Sequence, residues 1–125
     1  MNYTFSEFDL IRNPKSTFYK VLIDGHCQFD DFVARLDKLK SERKSFDNLM
    51  AWLENFDCQT MYPKEKLNII KGVSRNDVRE FKKNTIRIYV IIKERNVYIF
   101  RGGLKNEQER DIKLLDSETK IFPIV

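Results

Sequence analysis

Two cysteines, one histidine, four glycines and three prolines are all that this 125-residue chain carries of those four types. Each scarcity excludes something. A zinc site takes about four ligands in clustered spacing. Cys27, Cys58 and His26 offer no CxxC and no such cluster, so neither a metal nor another cofactor is expected. The thiols read as reduced and structural, and His26 as structural too. The longest apolar runs, such as "YVII", span a few residues, against about 20 for a bilayer-crossing helix. The opening "MNYTFSEFDL" lacks the basic-then-apolar pattern of a secretory signal, so a cytoplasmic location without membrane contact is expected. No GxxxxGK[ST] phosphate loop occurs.

What is present favours a folded chain. Hydrophobic residues make up 42% and aromatics 13%, enough for one core, and residues 1–125 are read as a single domain. The net charge of +4 is unevenly spread. Positions 64–113 hold 14 Lys/Arg against 7 Asp/Glu, while the remainder holds 9 against 12. A half-chain this basic suits a polyanionic partner. A merely solvated sheet face accounts for it as well.

Ser16 to Asp24 ("STFYKVLID") is rich in β-formers and ends at Asp24-Gly25, so it reads as a strand. Residues 1–28 thus form an N-terminal extension plus first strand. Phe29, Phe32, Val33, Leu36 and Leu39 recur at spacings of three and four, with acids leading and bases ending, which predicts an amphipathic helix. Ser45 is placed to cap a second helix bearing Phe46, Leu49, Met50, Leu53 and Phe56. The short "SERK" link between them predicts a helical hairpin over 29–58, with Trp52 in the core. After the break at Tyr62-Pro63 comes a short apolar anchor, Leu67, Ile69 and Ile70. An antiparallel meander over 77–102 follows, as strands Asp77–Lys82, Thr85–Lys93 and Asn96–Arg101. The fold class is α+β, a helical hairpin on one side of a small, mostly antiparallel sheet of about four strands.

Strand parity assigns the faces. Ile86, Ile88, Val90 and Ile92 are all aliphatic and are predicted to meet the helices. The opposite face carries Arg87 and Tyr89. A two-residue turn at Lys83-Asn84 sets Glu80 against Arg87, with Lys82 diagonal to it. In the second hairpin a two-residue loop puts Tyr98 and Phe100 beside Tyr89, whereas a three-residue loop puts Arg101 there. Either surface mixes cations with aromatics, a composition suited to stacked bases and phosphates. Equally, Glu80 neutralises Arg87 across the strands, an exposed pair worth about 0.2–1 kcal/mol. Beyond it, "RGGLKNEQERDI" allows a sharp bend at Gly102-Gly103 and supplies Lys105, Gln108 and Arg110. These either return a cation to the rim of the sheet or open a C-terminal helix or irregular segment.

From about Phe29 to Ile112 the chain resembles toxins of the RelE/HigB superfamily from bacterial toxin–antitoxin modules. The resemblance rests on the helical hairpin, then "VREFKK", "IRIYVI", "NVYIF" and "GGLKNEQ" in that order. It implies a RelE-like fold and a small basic, metal-independent endoribonuclease (an mRNA interferase) that cleaves messenger RNA on the ribosome. It also implies a cognate antitoxin protein, commonly an extended acidic or amphipathic segment over the basic face. A related branch poisons DNA gyrase without cutting, and a basic RNA-binding or interaction module is a further alternative.

By motif position the resemblance makes Arg87, Lys82, Lys83 and Lys105 the catalytic candidates. Arg79, Tyr89, Arg101 and Arg110 are the RNA-binding ones. Cleavage by 2′-hydroxyl attack needs a base, an acid for the departing 5′-oxygen, and positive charge on the phosphate. Arg87 suits the phosphate through its planar fork. Lys82 or Lys83 suits proton transfer, given neighbouring cations that lower a lysine's pKa. Lys105 suits the leaving group. Many family nucleases use a Tyr or His near the C-terminus; the segment after Phe100 has neither.

Overall fold

The computed structural model describes residues 1–123. Strands β1 (Tyr3–Glu7) and β2 (Thr17–Ile23) precede helices α1 (Gln28–Leu36) and α2 (Lys40–Leu53). Then come β3 (Leu67–Ile69), β4 (Val78–Lys83), β5 (Ile86–Lys93), β6 (Asn96–Leu104), a 3-10 turn (Lys105–Glu107) and α3 (Gln108–Thr119). The class is α+β. One sheet of six strands runs in the order β1-β2-β6-β5-β4-β3. Among the described residues only β2 and β6 are parallel neighbours; every other pair is antiparallel. The sheet is therefore larger than the expected four strands, and its helices lie on both sides.

On one face α1 and α2 bury Phe29, Phe32, Leu36, Phe46, Leu49 and Leu53 against Ile86, Ile88, Val90 and Ile99. The aliphatic parity of β5 predicts this layer correctly, and each large side chain so buried stabilises by about 1.5–3 kcal/mol. Trp52 packs there too, edge-on to Phe81 and Tyr62. The other face is closed by α3 over Val21, Val78, Tyr89, Ile91, Tyr98 and Phe100, with Leu115 and Phe122 added from the C-terminal segment. Sequence parity had left that second face to water. α3 covers it because the 3-10 turn after β6 folds the chain back across the sheet.

Local chemistry explains the remaining differences. The link between α1 and α2 is residues 37–39, and "SERK" lies inside α2. Ser45 is consequently no cap: buried in mid-helix, its hydroxyl accepts from Asn84 Nδ2 at 2.8 Å and ties α2 to the β4–β5 turn. At the C-terminal end of α2 the N-terminal extension is fastened by Asn13. Its Nδ2 donates to the carbonyl of Leu53 (2.8 Å), one of the groups a helix C-terminus leaves open, and to that of Phe56 just beyond it (2.7 Å). Asn13→Ala should therefore lower unfolding free energy by about 1–3 kcal/mol in urea melts. An unchanged urea midpoint would show that the extension is not fastened there. Phe8 and Ile11 of the same extension belong to the core, while Phe5 stays 42% exposed against Tyr98 and Phe122.

Both hairpin registers need restating. The β4–β5 turn is Asn84-Thr85, with Asn84 at φ 52°, so Lys83 pairs with Ile86. Relative to a Lys83-Asn84 turn every pairing slides by two residues. Because side chains alternate with period two, faces are kept while partners change. Lys82 stands opposite Arg87, and Glu80 opposite Tyr89. In the next hairpin the turn is two residues, Glu94-Arg95, but a bulge follows: Val90 pairs with Ile99 and Tyr89 with Arg101. Phe100 is the extra residue. Tyr98, Phe100 and Arg101 all end on the α3 side, so both open alternatives are realised at once.

Gly102 and Gly103 form no bend; they lie within β6. A Cβ on Gly102 would run into the Phe32 ring of α1, and one on Gly103 into the Asp111 carboxylate of α3. The pair is where both helical layers close on the strand.

Candidate functional site

Parity and the two-residue slide bring four side chains into a square on the α3 side. Glu80 and Lys82 come from β4, Tyr89 and Arg87 from β5, as direct cross-strand pairs. Arg87 is 5% exposed, Glu80 2% and Tyr89 fully buried. Arg87 Nη1 donates to the carbonyls of Asn84 (2.7 Å) and Ile86 (2.9 Å), while its Nε has no partner. The Tyr89 hydroxyl has no partner of good hydrogen-bond geometry, Gln108 being the side chain within reach of it. Burial first, then the charges of Asp111 and Glu80, push that phenol well above its ordinary range. Gln108, from the first turn of α3, stands beside the phenol, but its amide donates to Glu80 Oε2 at 2.6 Å.

Among the described residues three buried side-chain polar atoms lack a partner: Arg87 Nε, Tyr89 Oη and Asp111 Oδ2. All belong to the layer between the sheet and α3. Each such atom costs about 1–3 kcal/mol, and native proteins keep few of them. Their grouping in one layer makes it the candidate site.

The square opens sideways into a groove of about 580 Å³ between β3–β4 and α3. Lys64, Lys71 and Lys82 line it, with Glu65, Glu80, Asn68 and Gln108 between them. Glu80 Oε1 accepts from Asn68 Nδ2 at 3.5 Å. Chemically this is a cation-rimmed slot that reaches one carboxylate, Glu80; Arg87 and Tyr89 lie behind it, buried beneath α3 and outside its lining.

The predicted site residues separate. Lys82, Arg87 and Tyr89 come together as parity requires, although Arg87 and Tyr89 are roofed by α3 rather than facing water. Arg101, at 7% exposure, shares the face but is consumed: its guanidinium donates to Glu118 (2.9 Å from Nε, 3.2 Å from Nη2) and to Asp111 (3.1 Å). Lys83 pairs with Ile86 and so sits on the α1/α2 side. Arg79, opposite Val90, shares that side and donates to the carbonyls of Asn76 and Val78. Lys105 is exposed in a different cleft, with Glu42, Thr85 and Leu104. Arg110 is 61% exposed in its side chain and lies near Asp111 and Glu107 on α3.

Sequence reading missed Gln108 as a site residue, and Asp111, Lys64, Asn68 and Lys71 altogether. It treated Glu80 only as a neutraliser of Arg87. Its position on the Arg87 face was the available signal for Glu80; the others are brought in only by tertiary contact, as Gln108 is to Glu80 across 28 residues and Asn68 across 12. Burial raises the pKa of both Cys27 and Cys58 thiols, which suits inert, structural cysteines. No group of His, Cys, Asp or Glu able to hold a metal ion occurs among the described residues, and no helix there is long and apolar enough to cross a membrane. Compared with models of known families, with curated proteins and with solved structures, the chain matches none.

Proposed function

We propose that this chain is the toxin of a toxin–antitoxin pair and acts as a metal-independent endoribonuclease on ribosome-bound messenger RNA. The single observation that carries the reading is the cross-strand pair Lys82–Arg87, set beside a cation-rimmed groove and an unpaired guanidinium Nε. Arg87 binds the scissile phosphate and stabilises its developing charge. Lys82, at the mouth, transfers a proton. Lys64 and Lys71 hold the flanking backbone. Lys83 and Lys105, placed elsewhere, have no part in this square. For RNA to reach Arg87 the first turn of α3 must lift, which takes Asp111 off Arg101 and Ile112 off the sheet. The cognate antitoxin is an acidic segment that covers the groove.

Expressed under tight control, the wild-type chain should arrest growth and leave new 5′ ends in ribosome-bound messages. Arg87→Ala and Lys82→Ala should each slow cleavage by about 10²–10³-fold, with folding checked by thermal melting. One observation favours a second reading, a non-catalytic inhibitor of the same fold: Arg87 is 5% exposed beneath α3. Intact messages beside arrested growth would select that reading and rule out nuclease action.

A further inference from the structure

Glu80 is the carboxylate of the groove with no opposite charge to satisfy it. Among the described residues it forms no ion pair; its two oxygens accept only from the neutral amides of Asn68 on β3 and Gln108 on α3. Those bonds fix its orientation from both sides. The other carboxylates nearby are placed differently. Asp111 is bound by Arg101 at 3.1 Å, and Glu65 lies exposed on the rim. The charged and titratable groups facing Glu80 are Lys82 on its own strand and Arg87 and Tyr89 on β5. From α3 the facing carboxylate is Asp111, and across the groove stand Lys64 and Lys71.

We infer that Glu80 is the general base of the proposed cleavage, with Lys82 as the acid, so that the two ends of one strand face bracket the phosphate. Residues two apart on a strand project side by side about 6.6 Å apart. In-line displacement at phosphorus requires the attacking and departing oxygens on opposite sides, which a base and an acid at that spacing can serve. Lys82 and Glu80 line the groove, and Arg87, directly across from Lys82, adds a buried guanidinium behind them whose charge favours the phosphate.

The step balances. Glu80 carboxylate takes the proton of the 2′-hydroxyl, and the 2′-oxygen forms a bond to phosphorus. The bond from phosphorus to the 5′-oxygen breaks, and that oxygen takes a proton from the Lys82 ammonium. The products are a 2′,3′-cyclic phosphate and a free 5′-hydroxyl. No oxidant, metal or further reactant enters.

This inference rests on the nuclease reading, and the experiment separates the two. Ribosomes programmed with a defined message are treated with wild type, Glu80→Gln, Glu80→Asp and Arg87→Ala across a pH series, scoring rate and cyclic-phosphate ends. Glu80→Gln keeps an acceptor for Gln108 but cannot take a proton. Its cleavage should fall by about 10²–10⁴-fold and lose the acidic limb of the pH profile, with ribosome binding unchanged. Glu80→Asp should recover part of the rate. If Glu80→Gln cleaves within tenfold of wild type with the same pH profile while Arg87→Ala is inactive, Glu80 is not the base and the nuclease reading survives. Should wild type leave the message intact, both fall. If Glu80→Gln fails to fold, Glu80→Asp decides: a lowered kcat with a moved acidic limb supports the inference, and wild-type kcat overturns it.

Discussion

Arg101→Met is expected to be among the most damaging single substitutions, lowering unfolding free energy by about 3–5 kcal/mol and the melting temperature by roughly 10–20 °C. The reason is what it leaves behind. Arg101 sits at 9% side-chain exposure between Asp111 at 1% and Glu118 at 11%. Methionine fills much of the volume but leaves the Glu118 carboxylate without its ion-pair partner and Asp111 with only the exposed Arg110 at 3.4 Å, and Asp111 already has one oxygen without a partner. Burial pushes the Asp111 carboxyl above its ordinary range even with Arg101 beside it. The double variant Arg101→Met, Glu118→Leu should regain part of the loss, since replacing an ion pair by apolar groups costs far less than orphaning one partner. Equal melting temperatures for Arg101→Met and wild type would mean that α3 is not held to β6 by this triad. Arg101 would then become available again as an RNA contact.

The second large effect is expected at Gly102. Gly102→Ala puts a methyl group into the Phe32 ring, itself 2% exposed and wedged against Phe46. Overpacking of this kind costs about 1–3 kcal/mol. It should also push α1 away from the sheet, because neither the strand backbone nor the helix can give way alone. A cycle with Phe32→Leu tests the mechanism, since the smaller side chain opens room for the new methyl. The double variant should be more stable than the sum of the two single losses predicts, the sign of a shared contact. Strict additivity would place the cause elsewhere. Gly103→Ala meets the Asp111 carboxylate on the opposite face, so it should weaken the α3 layer instead of the α1 layer.

How much of this was legible beforehand differs from residue to residue. The unbroken aliphatic parity of β5 named its buried face, because period two leaves no choice once a strand is assumed. The square of Glu80, Lys82, Arg87 and Tyr89 was likewise written in parity. The turn was misplaced by one residue, yet a two-residue slide in pairing returns every side chain to its own side. α3 was much harder to see. Its inward stripe is Asp111, Leu115, Glu118 and Thr119, three polar residues and one leucine, so no hydrophobic period announces a buried helix. Those acids face inward only because Arg101 meets them, and Arg101 is on their face only because of the bulge at Phe100. A short word such as "IFRGGL" carries no mark of a bulge, since the extra residue is specified by its partner strand and by what packs above.

The α+β class, the two helices followed by the β4–β6 meander, the division of those strands into two faces, and the grouping of Lys82, Arg87 and Tyr89 are consequences of local spacing, and the amino-acid order alone determined them. Whether that second face meets water or a helix was decided only in three dimensions. So was the division of its cations into Lys82 at a groove, Arg87 held by backbone carbonyls beneath α3, and Arg101 locked between two carboxylates. The physical reason is that alternation fixes a direction for each side chain but not what stands opposite it. For Arg87 and Arg101, identical in type and on adjacent strands, the difference between a guanidinium held by backbone carbonyls and one locked in an ion-pair triad lies in which acids α3 carries to them.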